Sequence, residues 1–311
     1  MEKRIDGILL IDKEEGESSF GVVKKIRRCL KQRKVGHAGT LDPFATGLLT
    51  VLLGQGTKIS RFIMAGRKTY ETIVRLGVET DTYDSTGKVK YTNRVPDIGF
   101  EYVEEIIQNF TGTIKQVPPV YSAVRYNGKR AYELARKGEV FELIPRKVHI
   151  NSIEILSLKI PDITLRISCS SGTYVRSLGH DIGQALGVGG HLIYLRRLAS
   201  GNFSVMNAIK SDEIRQNYST YILANKIIPL CDALPDMIDI KIDGQIANKI
   251  RRGYQPVRKE LRGVESLVEQ GTEYFKLSIG SDLVAIANIL NDGGSKNDRI
   301  KIERVFFDNC S

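Results

Sequence analysis

An uninterrupted apolar run covers Ile8 to Ile11, a largely apolar stretch covers Thr72 to Val78, and apolar residues alternate from Ile163 to Cys169. Each pattern predicts a strand, and in the last Ile163, Leu165, Ile167 and Cys169 share one face. Val22, Val23, Ile26 and Leu30 recur at helical spacing and predict an amphipathic helix capped by Ser18 or Ser19. The same spacing recurs at Val103, Ile106, Ile107 and Phe110, and at Leu178, Ile182, Ala185 and Leu186, where Gly187 supplies a stop. Strands and helices do not alternate strictly. The pattern therefore predicts an α+β fold with a mixed, mostly antiparallel central sheet and flanking helices, not a doubly wound parallel sheet. Pro229 and Pro235 bracket the best boundary, giving units 1–234 and 235–311. The second unit opens with a helical pattern from Gln245 to Ile250. It continues with strands at Tyr274 to Ile279, Leu283 to Ile289 and Ile300 to Phe307, separated by turns at Gly280-Ser281-Asp282 and Asn291-Asp292-Gly293-Gly294. A small β-barrel-like unit is expected there.

Charge sharpens this picture. The 311 residues carry 46 Lys and Arg against 36 Asp and Glu, a net charge of +10. Residues 1–234 hold 34 basic and 24 acidic side chains, and residues 235–311 hold 12 of each, so the excess lies wholly in the first unit. Within it Lys24, Lys25, Arg27, Arg28, Lys31, Arg33 and Lys34 fall in one 11-residue window without an acid. Such a field attracts a polyanion and points to nucleic acid, although a solvated helix face has the same composition. Arg125, Lys129, Arg130, Arg136 and Lys137, opposed only by Glu133, form a second cluster. No run approaches the roughly 18 apolar residues of a spanning helix, and no secretory leader is evident, so no membrane association and a cytoplasmic location are expected. Cys29, Cys169, Cys231 and Cys310 lie far apart without a C-x-x-C pair, which argues against a zinc site and a disulfide framework.

The sequence has neither a P-loop nor a G-x-G-x-x-G motif, and His37, His149, His180 and His191 are scattered, so no cofactor and no metal are expected. The densest anomaly is Gly36-His37-Ala38-Gly39-Thr40-Leu41-Asp42-Pro43-Phe44-Ala45-Thr46-Gly47, directly after the basic window. Glycines permit close approach and positive φ, and Pro43 biases Asp42 toward an extended geometry, which makes a fixed carboxylate. Asp followed by Pro, then Phe44, Leu48 and Leu49, is also how a helix starts, and spacing alone favours Asp42 as an N-cap. A second constellation, Cys169 to Arg176, joins a strand end to a helix start and offers Tyr174 and Arg176 together, where an arginine orients a carboxylate or simply lies exposed. Tyr70, at the start of a strand, is a third candidate, although a lone tyrosine is usually packing.

Together these segments resemble the TruB-type tRNA pseudouridine synthases over most of residues 5–204. The loop from Gly36 to Pro43, with Ala45 and Gly47, is similar to that family's signature. Lys68-Thr69-Tyr70, Leu76-Gly77 with Thr80-Asp81-Thr82, Gln116 with Pro118-Pro119, Tyr121-Ser122-Ala123, Gly172 to Arg176, and Leu195-Arg196-Arg197 follow its other blocks in order. One block departs: Asp12-Lys13 with Gly16 and Ser19 has Glu14 where the family usually has proline. The C-terminal unit resembles the family's PUA-like RNA-binding module only weakly.

The resemblance implies isomerisation of uridine 55 in the T loop of tRNA to pseudouridine, with Asp42 as the catalytic residue in place of a helix cap. It implies that the target uridine is flipped out, that Tyr70 stacks on it, and that His37 fills the space it leaves. Tyr174 and Leu195 would complete the pocket and Arg176 would pair with Asp42, lowering its pKa and aiming it. Lys24, Lys25, Arg27, Arg28, Lys31, Arg33 and Lys34 would hold phosphates. The expected partner is the T arm of tRNA, with no obligate protein partner, and the chain is expected to be a monomer. A non-catalytic RNA-binding protein or tRNA-folding chaperone on the same scaffold is the alternative. A guide-RNA-dependent synthase of the same lineage is a third possibility, against which the short, charge-neutral tail argues.

Overall fold

The apolar run at the start becomes strand β1 (Gly7–Lys13), and its continuity has a cause: both faces are covered. Leu9 and Ile11 enter one hydrophobic cluster and Ile8 and Leu10 another, as the two-residue period of a strand requires. The computed structural model describes residues 5–214, 223, 225–264, 273–290 and 299–307. Helix α1 (Ser19–Cys29) follows, with Val22, Val23 and Ile26 on its buried side and the Ser18 hydroxyl accepting from the Gly21 amide at 3.0 Å as N-cap. Strands β2 (Val35–Ala38) and β3 (Thr46–Leu53), helix α2 (Ser60–Ala65) and strand β4 (Lys68–Leu76) complete the first stretch.

Next come β5 (Val78–Thr80), β6 (Val89–Thr92), α3 (Phe100–Gln108), β7 (Gly112–Gln116), and the short hairpin β8 (Arg125–Tyr126) and β9 (Lys129–Arg130). Helix α4 (Ala131–Arg136), β10 (Arg146–Lys159), β11 (Asp162–Cys169) and α5 (Val175–Ala185) lead to β12 (Gly190–Ser200), β13 (Phe203–Ser204) and β14 (Ile209–Lys210). The expected one-sided burial of β11 is observed: Ile163, Leu165, Ile167 and Cys169 are buried. Helix α5 ends as its spacing predicts, with Gly187 at φ +76°.

Ten of these strands form one sheet in the order β14-β1-β3-β12-β4-β11-β10-β7, with β2 on β3 and β13 on β12, while β5 pairs with β6 and β8 with β9. Only the β1–β14 and β3–β12 pairs are parallel, so the sheet is mixed and mostly antiparallel as the sequence predicts. Helices α1, α3 and α5 bury their apolar stripes in one cluster with β1, β3, β4 and β11.

Strand β15 (Asp239–Lys241), helix α6 (Gly244–Arg251), and strands β16 (Tyr274–Ile279), β17 (Asp282–Leu290) and β18 (Arg299–Val305) build a second, four-stranded sheet with its own core. It is attached to the large sheet by Gln55, whose Nε2 donates to the Phe307 carbonyl at 2.7 Å while its Oε1 accepts from the Phe307 amide at 2.9 Å. Phe306, Ile286 and Leu283 add apolar contact in the cluster that holds Ile8 and Leu48. Cys169 and Cys231 are buried free thiols and Cys29 is half-buried; Cys310 and the Asn291–Gly294 turn lie outside the described residues. Among the described residues no helix is long and apolar enough to cross a membrane.

Candidate active site

Asp42 does not start a helix. The segment after Pro43 turns once, with the Ala45 amide donating to the Asp42 carbonyl at 3.1 Å, and enters strand β3. The apolar residues Leu48 and Leu49 that suggested a helix are strand residues buried on opposite faces. The cap reading fails for the reason β1 is continuous: a strand covered on both sides is apolar throughout and loses its alternation.

The Asp42 loop is clamped by side chains from other elements. Ser19, the second capping candidate, does not cap; its hydroxyl accepts from the Leu41 amide at 2.9 Å and donates to the Leu41 carbonyl at 3.0 Å. The buried Lys13 ammonium donates to the carbonyls of Glu14 at 2.9 Å, Glu17 at 2.7 Å and Pro43 at 3.3 Å. Burial pushes that ammonium down to about 8, against the nearby carboxylates. Gly39 takes φ +86° and Gly47 φ +98°, and a Cβ on Gly47 would lie 2.3 Å from the Arg197 carbonyl oxygen, so the loop closes against β12 only with glycine there. Glu14 has its own use: its amide donates to the Ser211 hydroxyl at 3.1 Å, a bond that proline at this position does not make.

From the far side of the sequence Arg176, in the first turn of α5, brings its Nε to 2.9 Å from Asp42 Oδ2. Its Nη1 lies 3.4 Å from Asp84 Oδ2, and its remaining donors reach the carbonyls of Thr82 and Tyr121, both at 3.0 Å. Arg176 and Asp84 are each 5% exposed and Asp42 is 37% exposed, so two members of the triad are sealed and the third keeps an open edge. The net effect on Asp42 differs from the expected lowering. Burial pushes its carboxyl above the ordinary value of 3.8, Asp84 adds to the rise, and Arg176 opposes it without reversing it. Asp84 is held by the Thr82 hydroxyl at 2.7 Å and the Thr86 amide at 2.9 Å. Tyr83 at φ +61° turns the backbone between them, and its ring stacks on His180, one turn along α5 from Arg176, at 4.0 Å.

Tyr70 and Tyr174 pack in different clusters, and both feel the charge of Asp42. Burial raises both phenols above their ordinary value, and the Asp42 charge contributes to each rise. Gln116 fixes Tyr174 through its backbone, accepting from the Tyr174 amide at 2.8 Å and donating to its carbonyl at 3.1 Å. Leu195 is buried on β12 in the cluster that holds Leu41, Phe44 and the half-buried Tyr70. His37 is half-buried on β2, and burial followed by the charge of Arg197 lowers its pKa.

Sequence patterns match in the same region. The family described as "TruB family pseudouridylate synthase (N terminal domain)" matches residues 27–175, and "tRNA pseudouridylate synthase B C-terminal domain" matches residues 176–237. A protein of Geobacter sulfurreducens named tRNA pseudouridine synthase B is 36% identical over 303 residues, covering 97% of this chain and 100% of its own. A Clostridium kluyveri protein of the same name is 42% identical over 250 residues, covering 80% of this chain and 84% of its own. The chain belongs to the TruB family of pseudouridylate synthases. Its fold is also that of the chain solved in "Crystal Structure of a Cbf5-Nop10-Gar1 Complex", with a TM-score of 0.73 and 24% identity, covering 97% of this chain and 85% of that one.

In this TruB-family chain the residues singled out from sequence fall into two groups. Arg176 meets Asp42 directly, Tyr70 and Tyr174 both feel the Asp42 charge, Leu195 shares a hydrophobic cluster with Tyr70, and His37 is joined to the others only through the charge of Arg197. The basic window lies on and just after α1. Lys24, Arg28, Lys31, Arg33 and Lys34 are exposed, whereas Lys25 pairs with Glu17 at 2.7 Å and Arg27 donates to the Val35 carbonyl at 2.7 Å. Asp84 was not singled out from sequence. It lies between Asp81 and the turn at Gly87, and nothing in the pattern tells which of two aspartates meets Arg176; Asp81 instead accepts from the Lys88 amide at 2.8 Å. The roles of Ser19, Gln116 and Arg197 were equally hidden, because each acts on backbone far away in sequence, and Lys13 ties two neighbouring carbonyls to the distant one of Pro43.

Proposed function

We propose that this protein isomerises uridine 55 in the T loop of tRNA to pseudouridine, with Asp42 as the catalytic residue. The reaction breaks the bond from N1 to C1′ and rejoins the ring through C5; the C5 proton leaves and N1 takes one up, so neither water nor a redox partner is consumed. The observation that carries this reading is the Asp42–Arg176 pair at 2.9 Å, sealed on the Asp84 side and open on the other, beside two phenols. An aimed carboxylate with one free edge suits a nucleophile or charge partner for a sugar or pyrimidine ring.

A uridine inside a folded T loop is out of reach, so it is flipped outward, and unstacking costs on the order of a few kcal/mol. Tyr70 stacks on the flipped base, Tyr174 and Leu195 wall it, and His37 takes the space it vacates. The exposed cations of the window hold tRNA phosphates, with Lys25 and Arg27 contributing less because their donors are engaged within the chain. In this reading residues 1–234 carry the chemistry and residues 235–311 add RNA affinity, and the protein works in the cytoplasm as a monomer. A purely RNA-binding protein needs the outer cations but has no need of a carboxylate aimed by a sealed guanidinium.

The test is incubation of the purified chain with unmodified tRNA transcript, without guide RNA or nucleotide, followed by pseudouridine mapping. Product at position 55 is expected. Asp42→Asn is expected to give none while its Kd for tRNA stays within about threefold, since an amide keeps the shape and loses the negative charge. Appreciable turnover by that variant removes Asp42 from the chemistry.

A further inference from the structure

Arg197 is 1% exposed and among the largest wholly buried side chains of the molecule. Unlike Arg176, it forms no ion pair with a carboxylate among the described residues. Its Nε donates to the Leu48 carbonyl at 2.7 Å and its Nη2 to the Gly39 carbonyl at 3.0 Å. Those two carbonyls stand at either end of the loop that carries Asp42, so one planar fork spans the base of that loop. The backbone comes close on both sides: a Cβ on Gly39 would lie 3.4 Å from Arg197 Nη1, and Gly47 is the register partner of Arg197 across β3 and β12. On the other neighbouring strand the register partner of Arg197 is Tyr70, and the charge of Arg197 acts on its phenol.

A buried guanidinium without a counter-charge is costly unless its donors are filled. Here two carbonyls of one loop take its Nε and Nη2 donors, and Tyr70 is its register partner on the facing strand. We infer that Arg197 is a positioning residue whose fork closes the base of the Asp42 loop and sets the separation between the Asp42 carboxylate and the Tyr70 ring. This rests on the proposed reading in which those two groups meet the uridine. Geometry makes the role specific to arginine: a planar fork reaches the two carbonyls in fixed directions, whereas a lysine ammonium on a flexible stem does not hold both in that geometry. The charge of Arg197 also opposes the rise that burial gives the Tyr70 phenol.

Two variants of the full chain, Arg197→Met and Arg197→Lys, test the assignment by two independent readouts. The first is hydrogen exchange in the free protein, followed in peptides covering residues 36–48, residues 68–76 and helix α3. Exchange is expected to speed up in the first two and to stay at the wild-type rate in α3, more strongly in Arg197→Met than in Arg197→Lys. The second is kcat and KM on tRNA transcript: kcat falls about 100-fold in Arg197→Met and about tenfold in Arg197→Lys, with KM within about threefold of wild type, as a displaced reacting group requires. If Arg197→Met does not fold, Arg197→Lys alone carries the test. Wild-type exchange in residues 36–48, uniform loosening that includes α3, or a loss carried by KM with kcat unchanged overturns the inference. If instead the wild-type chain makes no pseudouridine, the proposed function fails, and the exchange experiment still decides whether Arg197 braces the loop.

Discussion

Around Asp42 the charges have named partners at fixed distances: Arg176 meets Asp42 at 2.9 Å and Asp84 at 3.4 Å, and all but one edge of the cluster is closed to solvent. Along the outer face of α1 and the turn after it, Lys24, Arg28, Lys31, Arg33 and Lys34 are exposed. One helix touches both regions, since the buried Ser19 hydroxyl grips Leu41 from the inner face of α1. The difference is between charges that define a geometry and charges that define a field. Breaking a buried pair leaves an uncompensated ion in low dielectric, and its cost is large and local. Removing one exposed cation changes a potential that salt already screens, and its cost is small and shared.

The contrast breaks most visibly at Arg176. Arg176→Met leaves the buried Asp84 without its cation, which is expected to destabilise the fold by roughly 3–5 kcal/mol in denaturant titrations and to lower kcat by at least about 100-fold. A pH profile sharpens it next. Asp42 titrates above its ordinary 3.8 because burial raises it, so its ionised form is complete well above that value and is lost as pH falls through the raised one. The acid limb of kcat/KM is therefore expected to bend above pH 3.8 and to drop about tenfold per unit below the bend; a limb bending below that value separates activity from Asp42.

Ser19→Ala probes the point where the two regions meet. It removes both bonds to Leu41 and is expected to cost about 1–2 kcal/mol in stability and about tenfold in kcat, with tRNA affinity unchanged. Lys24→Ala has the smallest expected effect: a Kd for tRNA raised about twofold to fivefold at low salt, a salt slope shallower by about 0.7–0.9, and wild-type kcat. A fall in kcat for Lys24→Ala, or a changed salt slope for Ser19→Ala, would erase the distinction drawn between the two regions.

Local pattern carried much of the fold because periodicity is a local property. The alternation in β11, the stripe of α1 and the glycine after α5 each follow from residues within one element. Asp42 was the instructive failure of spacing. Asp-Pro before apolar residues reads as a helix start, and only the packing of a hydrophobic cluster on each face of β3 explains why those residues are apolar on both faces. The signature loop, Tyr70, Tyr174 and Arg176 were legible through resemblance, but their roles were attached by block and not by contact. Asp84, Ser19 and Gln116 were invisible as site residues because a hydroxyl or carboxylate gives no sign of the backbone it will grip.

The amino-acid order alone set the elements, the concentration of positive charge before residue 235, and the glycines that let the 36–47 loop fold back on itself. These depend on neighbours in the chain and on composition, which the sequence states directly. The meeting of Asp42 with Arg176, the sealing of that pair by Asp84, and the enclosure of Arg197 between loop and strand were decided only when β12 inserted between β3 and β4. Hydrogen bonds and ion pairs act over a few ångströms, and segments far apart in sequence come within that range only through the topology of the sheet.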